Sequence, residues 1–535
     1  SGSRFAAGDG TAGSSMNVTG SLAMQSGALY MVQINPTISS FTNVTGTNTF
    51  ANGASGAQFG FVVNEGIVNL GGAGQVNALT GNSEMIVGTI NDATLRTTEL
   101  NINGGTTTVG NYIGVGRGNG TANASTILSI NNDAAVSSGN FAIGYANGVV
   151  GYKSSPTVNF NGSSTYTDSG VFTVGESVNA TGGVSTITVN GTAVVSLTNV
   201  SNTAVNIGAS GAAVFDQNGG SVTTAGRVNM ARDATSAAIY TLDGGILTAP
   251  AIAKGAGTAT FTFNGGTLKP TTNDLSGGGL GTFLTGVTTN VGNAGAFIDT
   301  NGFSVAVATS LVPDGASTGG LTKQGLGTLA MTAPNTYTGD TTVSAGTLEL
   351  QVDDSLENLA NVKLATGSFL KLNFSGTDTV SRLYINNVEQ AAGVWGRTGS
   401  IVALGATHES ALIEGDGLLQ VTNGAGGLSY ASWASANAGS QLADNDYDLD
   451  GVRNGVEYFM GATGSTFTAN PALVSGTVTW PKSASFSGTY KVETSTDLVN
   501  WADVTGSVVP GVGTISYTPP SGDPARFVRL DVVPN

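Results

Sequence analysis

Twelve residues, Asp446 to Glu457, hold the chain's densest set of hard oxygen ligands. Asp446, Asp448 and Asp450 stand at positions 1, 3 and 5 of this stretch, and Gly451 follows at 6. Calcium takes about six to eight oxygens in a flexible shell. Alternating aspartates bring three carboxylates to one side of a tight loop, and the glycine lets the chain turn back. Val452 at position 7 offers its carbonyl. Asn454 at 9 acts directly or through water, and Glu457 at 12 closes the shell with both oxygens. Four carboxylates this close repel one another unless a cation sits among them. Ca2+ is therefore the expected cofactor, as a structural clip. A solvated acidic turn is the plainer alternative. A regulatory sensor is a third, weakened because the loop is single and sensor loops work in pairs. Asp444 stands just outside as an extra ligand or an outer-shell group.

The spacing is similar to the calcium loops of EF-hands, dockerin-like modules and thrombospondin type 3 repeats. Every other signal is weaker. His408 is the single histidine, has no serine motif beside it, and reads as a surface-loop residue. Gly114–Gly120 (GVGRGNG) matches a phosphate loop only in letters: no Lys-Ser/Thr follows it and no helix opens there. Trp395, Trp433, Trp480 and Trp501 could stack on sugars, but core or capping roles are the simpler reading. Charges between Leu95 and Pro270 are scattered, with few at rung spacing, so the acid–base cluster of a polysaccharide lyase or hydrolase is missing. No catalytic residue is expected, and the chain reads as a non-enzyme.

Gly fills 81 of 535 positions, and charged residues make up only 10%. With 40% apolar residues the chain is not of the charged, disordered kind. Short alternations of Gly, Thr, Asn, Ser, Ala and Val point to all-β structure with many tight turns. The net charge of −16 disfavours nucleic acid and anionic membrane as partners. No apolar run is long enough for a transmembrane segment. Cysteine is absent, which excludes disulfides and thiolate metal sites.

The elements that must carry the acidic loop read as follows. Residues 1–15 are Gly- and Ser-rich. Residues 16–94 hold irregular strands, with Val18, Leu22, Met24, Leu29, Met31 and Ile34 as inward residues. Residues 95–270 repeat. The anchors are Asn103-Gly104, Asn131-Asn132, Asn161-Gly162, Asn190-Gly191, Asn218-Gly219, Asp243-Gly244 and Asn264-Gly265, spaced 28, 30, 29, 28, 25 and 21 residues apart. A second strand ends in Ile113-Gly114, Ile143-Gly144, Val174-Gly175, Ile207-Gly208, Met230-Ala231 and Ile252-Ala253. Periods of this size are solenoid rungs. A meander of Asn-Gly hairpins is the rival. In a solenoid the turn asparagines form a ladder, each amide donating to the next. Leu100, Ile102, Leu128, Ile130, Val158, Phe160, Ile187, Val189, Leu242, Phe261 and Phe263 face the interior. Ser276 to Val312 shows no strong period. Residues 271–422 complete the solenoid; at about 25 residues and about 4.8 Å per rung it would be a rod roughly 80 Å long. Residues 423–464 hold a linker, a short helix from Leu428 to Ala438 and the acidic loop. Residues 465–535 form a small β-sandwich. The expected fold class is all-β: a parallel β-helix followed by a calcium loop and a sandwich.

Leu321–Leu350 resembles the passenger-associated repeat of autotransporters. Gly325, Gly327, Thr328, Leu329, Asn335, Tyr337, Gly339, Thr341, Val343, Gly346, Thr347 and Leu348 match its pattern, and Met331 stands where Leu is commoner. The resemblance implies a parallel β-helix outside a Gram-negative cell, exported with a cleaved leader. It implies no chemical activity. The expected function is that of a structural surface protein, a fibre subunit that assembles head to tail with copies of itself and takes Ser1–Ser15 of a neighbour as an added strand. The alternatives are a tail folded back on its own rungs, a monomeric adhesin or binder of extracellular polysaccharide, and, last, a lyase.

Overall fold

The computed structural model describes residues 59–72, 74–90, 97–118, 124–145, 154–177, 183–273, 282–424, 430–483, 486–511, 513–520 and 526–534, with the backbone of five short strands before residue 52. The side chains expected inward at Val18, Leu22, Met24, Leu29, Met31 and Ile34, and the assembly segment before Ser15, lie outside the described residues. Two compact units are present, one of residues 1–357 and 367–374, the other of residues 358–366 and 375–535.

The first unit is the expected parallel β-helix. Each full rung carries three strands, as in Ser154–Phe160, Thr165–Asp168 and Phe172–Val174. Each strand pairs in parallel with its equivalent one rung before and one rung after. Three columns of strands result, and no hairpins among the described residues of this unit, which excludes the meander. The reason is visible in the register. Leu128 lies opposite Leu100 and Val158, and Val158 opposite Ile187. Every second residue points inward along a strand, so any other register would turn this apolar set to water. All eleven residues expected inside are buried. Burial of each large apolar side chain contributes roughly 1.5–3 kcal/mol. Aromatic rings stack from rung to rung: Phe141 on Phe172 at 4.8 Å, Phe215 on Tyr240 at 4.7 Å, and Tyr240 on Phe261 at 5.2 Å.

Corners close each rung. In the third column the chain turns at Gly88, Gly116, Gly144, Gly175 and Gly208, with φ between 65° and 79°, and at Ala231, with φ 52°. Side chains rarely adopt this left-handed conformation. It is also crowded: a Cβ on Gly144 would lie 2.3 Å from Ser185 Oγ. Two of the six sequence-paired corners are shifted. Val115, not Ile113, lies opposite Ile143, and Lys254, not Ile252, lies opposite Met230. A slip of two residues keeps the same face of a strand, so the letters alone do not reveal it.

The asparagine ladder is present, with its direction opposite to the expected one. Asn131 donates to Asn103 at 2.9 Å, and Asn161 to Asn131, Asn190 to Asn161 and Asn218 to Asn190, each at 2.8 Å. Each amide thus points back toward the preceding rung. The described residues of the stretch 276–312, read as aperiodic, continue the rungs: Thr288–Val291, Ala296–Asp299 and Leu311–Pro313 pair with Thr258–Phe263, Thr267–Pro270 and Thr288–Val291.

At Leu321 the rung shortens to two strands. Leu321–Gln324 and Thr328–Met331 are followed by Thr341–Val343 and Gly346–Leu350. The first column ends at Leu311–Pro313, and Asn335 takes over its edge. Leu311 N–H donates to Asn335 Oδ1 at 3.0 Å, and Asn335 Nδ2 donates to Ser355 O at 3.3 Å. One side chain thus bridges three successive rungs. Tyr337, also buried, lies 2.6 Å hydroxyl to hydroxyl from Thr341. Lys323 is wholly buried. Its ammonium donates to Thr300 Oγ1 at 3.0 Å and to the carbonyls of Gln324, Gly325 and Ala345 at 2.9, 2.7 and 2.9 Å. Gly346 (φ 65°) leaves it room, since a Cβ there would lie 2.9 Å from Nζ.

In the second unit Asn361–Leu364 pairs in parallel with Arg382–Ile385, which makes a short hairpin with Val388–Glu389. Thr377–Val380, Leu418–Val421, Gly393–Gly396 and His408–Glu409 form a four-stranded sheet. His408 is not a surface-loop residue: it sits in that sheet, its ring stacked on Trp395 at 4.7 Å. Two three-stranded antiparallel sheets close the chain: Val478–Pro481, Thr514–Tyr517 and Val509–Gly511, and Ala502–Asp503, Gly488–Ser495 and Phe527–Pro534. They share one core that includes Trp480, Val492, Ile515, Tyr517 and Val532, as a sandwich does.

Candidate metal centre

The acidic loop leads into the helix Asn454–Met460. Two apolar cores hold this helix. Val456 and Phe459 enter the sandwich core, and Tyr458 packs with Trp433 of the helix Tyr430–Asn437. Its geometry is therefore fixed from both sides, and Glu457 is carried with it.

The loop folds around its own carboxylates. Asp446 Oδ1 accepts from Leu449 N–H at 2.8 Å and Asp450 N–H at 3.2 Å, while Oδ2 accepts from Gly451 N–H at 2.8 Å. Asp448 accepts from Asp450 N–H at 3.3 Å. Asp450 accepts from Val452 N–H at 2.8 Å and, through its other oxygen, from Thr468 N–H. Leu449 (φ 64°) and Gly451 (φ 92°) take the left-handed conformation that turns the loop back. One oxygen from each of Asp446, Asp448 and Asp450 converges, all three within 4.8 Å of one another.

Glu457 is the second feature. It is wholly buried, and neither carboxylate oxygen has a hydrogen bond in good geometry. Buried polar atoms are almost always partnered, so an orphaned carboxylate calls for an explanation. Its pKa is pushed up to about 7, first by burial and then by the negative Asp448, Asp450 and Asp446; the Thr468 hydroxyl nearby eases this only in part. Glu457 stands outside the converging set of three; a divalent cation held by the aspartates and reached by Glu457 would satisfy that carboxylate and cancel the repulsion. Asn454 is differently engaged. Its Oδ1 accepts from Tyr447 N–H at 3.1 Å and its Nδ2 donates to Leu442 O at 3.1 Å, so it braces the loop entry. Val452 turns its side chain into the sandwich core.

Trp395, Trp433 and Trp480 are buried, in core roles, and Trp501 lies beneath the Arg529 guanidinium at 4.0 Å. One feature of the first unit escaped the sequence reading. Val115, Ile143, Val174, Ile207 and Met230 are successive register partners in the third column. Two residues beyond four of them stand Arg117, Tyr145, Glu176 and Arg232, so charges share one column at every second rung. Arg117 pairs with Glu84 at 3.2 Å and lies 5.3 Å from the Tyr145 ring centre, and the Tyr112 hydroxyl donates to Glu176 at 3.2 Å. Burial raises the pKa of both Glu84 and Glu176, with Arg117 opposing it in each case. Only a register fixed by the third-column corners could have revealed this column.

Residues 321–350 match the passenger-associated-transport-repeat family. The chain therefore carries a repeat of this family over those residues. Its repeat is that of autotransporter passengers, so it is an exported surface protein with a β-helix. Within these residues Asn335 takes over the edge of the strand column, Tyr337 meets Thr341 in the interior, and Gly346 leaves room for Lys323. No curated protein matches the chain, and no solved structure does.

Proposed function

We propose that this β-helix is a structural surface element, a fibre subunit that assembles head to tail, and that calcium clips its C-terminal unit. The observation that supports the fibre reading is the parallel ladder that runs from rung to rung through the described residues of the first unit. A ladder of this kind ends in unpaired N–H and C=O groups, which another copy can extend. Contact between unlike ends does not close, so it grows a filament. A surface with few charges suits main-chain pairing. For calcium, the support is the orphaned, buried Glu457 beside three converging aspartates. The non-enzymatic reading rests on the charged column. Arg117 pairs with Glu84 and Tyr112 with Glu176, so each acid is already engaged and none is left as a base.

Negative-stain microscopy and sedimentation velocity of the purified chain test the assembly. Continuous filaments, or a species that grows with concentration, are expected. A monomer at all concentrations refutes the fibre. Depolymerisation of pectin or alginate by the pure protein, lost on Glu176→Gln, would overturn the non-enzymatic reading.

A further inference from the structure

The C-terminal unit contains a cavity of about 350 Å³ between the acidic loop and the sandwich strands Val478–Pro481 and Phe527–Pro534. Its size is at the low end for small-molecule sites. The floor is apolar and buried: Val452, Val456, Val478, Trp480 and Leu530. Arg453, Arg529 and Asp531 supply the charge at its walls. Arg529 is held in place, with its guanidinium over the Trp501 ring at 4.0 Å and Nε 2.8 Å from Glu493. Arg453 is half exposed and only loosely engaged, at 3.4 Å from Asp444 and 3.8 Å from Asp531.

Each arginine of this wall is set against an acid, Arg453 near Asp444 and Asp531 and Arg529 against Glu493. The protein carries −16 overall and has only 18 Lys and Arg, yet two arginines border one small cavity. An apolar floor with a few polar groups at the edge orients a ligand that has an apolar body and one charged end. Guanidinium groups match a carboxylate through paired N–H donors. We propose that this cavity binds a small carboxylate with an apolar body, the body against Trp480 and Val456 and the carboxylate against Arg453, in the place now taken by Asp531.

Gly451, Val452 and Arg453 belong both to the cavity wall and to the acidic loop. A cation that orders the loop therefore orders Arg453, and ligand and cation strengthen one another by the same factor. This coupling rests on the calcium reading; the cavity itself does not.

The test uses the full chain with 3-phenylpropionate and its uncharged twin, 3-phenylpropionamide, in calcium and in EDTA, followed by Trp480-region NMR signals and calorimetry. The acid is expected to bind with a dissociation constant of order 1 mM, and the amide about tenfold more weakly. Arg453→Met should remove the acid's advantage and leave amide binding unchanged. Asp531→Asn should tighten acid binding several-fold, a gain that a misfolded protein cannot imitate. Equal binding of acid and amide, or no response to either at saturating concentrations, overturns the site. If the acid binds equally with and without calcium while calorimetry shows calcium uptake, the coupling fails and the cavity stands. If calorimetry shows no uptake, the calcium reading fails by itself.

Discussion

Asp243 Oδ1 accepts the side-chain amide of Asn264 at 2.8 Å, and being a carboxylate it has no proton to return to Asn218 on the rung before. The asparagine ladder is thereby cut in two. Asn103 to Asn218 form one run, and Asn264 belongs to another, its own Oδ1 accepting from Ala294 N–H at 3.0 Å.

Asp243→Asn should join the runs, because an amide can accept from Asn264 and donate to Asn218. A hydrogen bond of this kind contributes about 0.5–1.5 kcal/mol, so a modest rise in melting temperature is expected. Asn161→Ala removes a link from the middle of the longer run and should lower it. A thermal scan of both variants measures the difference, and a drop for Asp243→Asn would contradict the ladder's direction.

Asn335→Ala should destabilise the solenoid by about 2–3 kcal/mol, since Leu311 N–H and Ser355 O both lose a buried partner. Loss should begin locally, as faster amide exchange at Leu311 than at strands near Val158. Exchange spread evenly over the unit would argue against this role.

Lys323 is held down to about 8 by burial, against the opposing charge of Asp299. The native state then gives up its proton before the unfolded chain does, so stability should rise between about pH 8 and the ordinary lysine value. Lys323→Met should remove that slope. It should also cost about 1–3 kcal/mol at neutral pH, because three carbonyls and one hydroxyl lose their donor. Denaturation of wild type and variant across this range decides it.

Asp168 behaves with the opposite sign. It is buried beside Ser138 and Tyr166, which donate to it at 3.0 and 3.1 Å, and burial pushes its pKa up to about 6. The native state keeps the proton longer than the unfolded chain, so stability should fall as pH rises from about 4 to 6. Asp168→Asn should flatten this dependence. An unchanged slope in the variant would place the titration elsewhere.

Calorimetry with calcium should show uptake by the wild type and none by Asp446→Ala combined with Glu457→Ala. Calcium should also protect the C-terminal unit against heating, through the helix Asn454–Met460 that both apolar cores grip. Uptake that survives in the double variant would move the site away from this loop.

The interior of the solenoid was legible in the sequence because a period of two is strict: Leu100, Val158 and Phe261 could face only one way. The turn asparagines were legible as well, since the ladder needs one per rung. The direction of their amides was not, because both directions use the same letters. The corners at Val115-Gly116 and Lys254-Gly255 were hidden by a two-residue slip that preserves the face. With them went the column of Arg117, Tyr145, Glu176 and Arg232, which exists only once the register is right. In the acidic loop the aspartates and Gly451 could be read from spacing alone. The burial of Glu457 could not, because Trp433 and the sandwich core come from distant sequence. The bracing role of Asn454 likewise depends on Leu442, outside the loop.

Four amides in a row, from Asn131 to Asn218, present hydrogen toward the first residues of the chain and oxygen toward the last. Their dipoles add instead of cancelling, so the solenoid is a vector, positive at one face and negative at the other. The row starts at Asn103 and stops before Asp243, so this polarity belongs to the middle rungs, built there without a single ion pair.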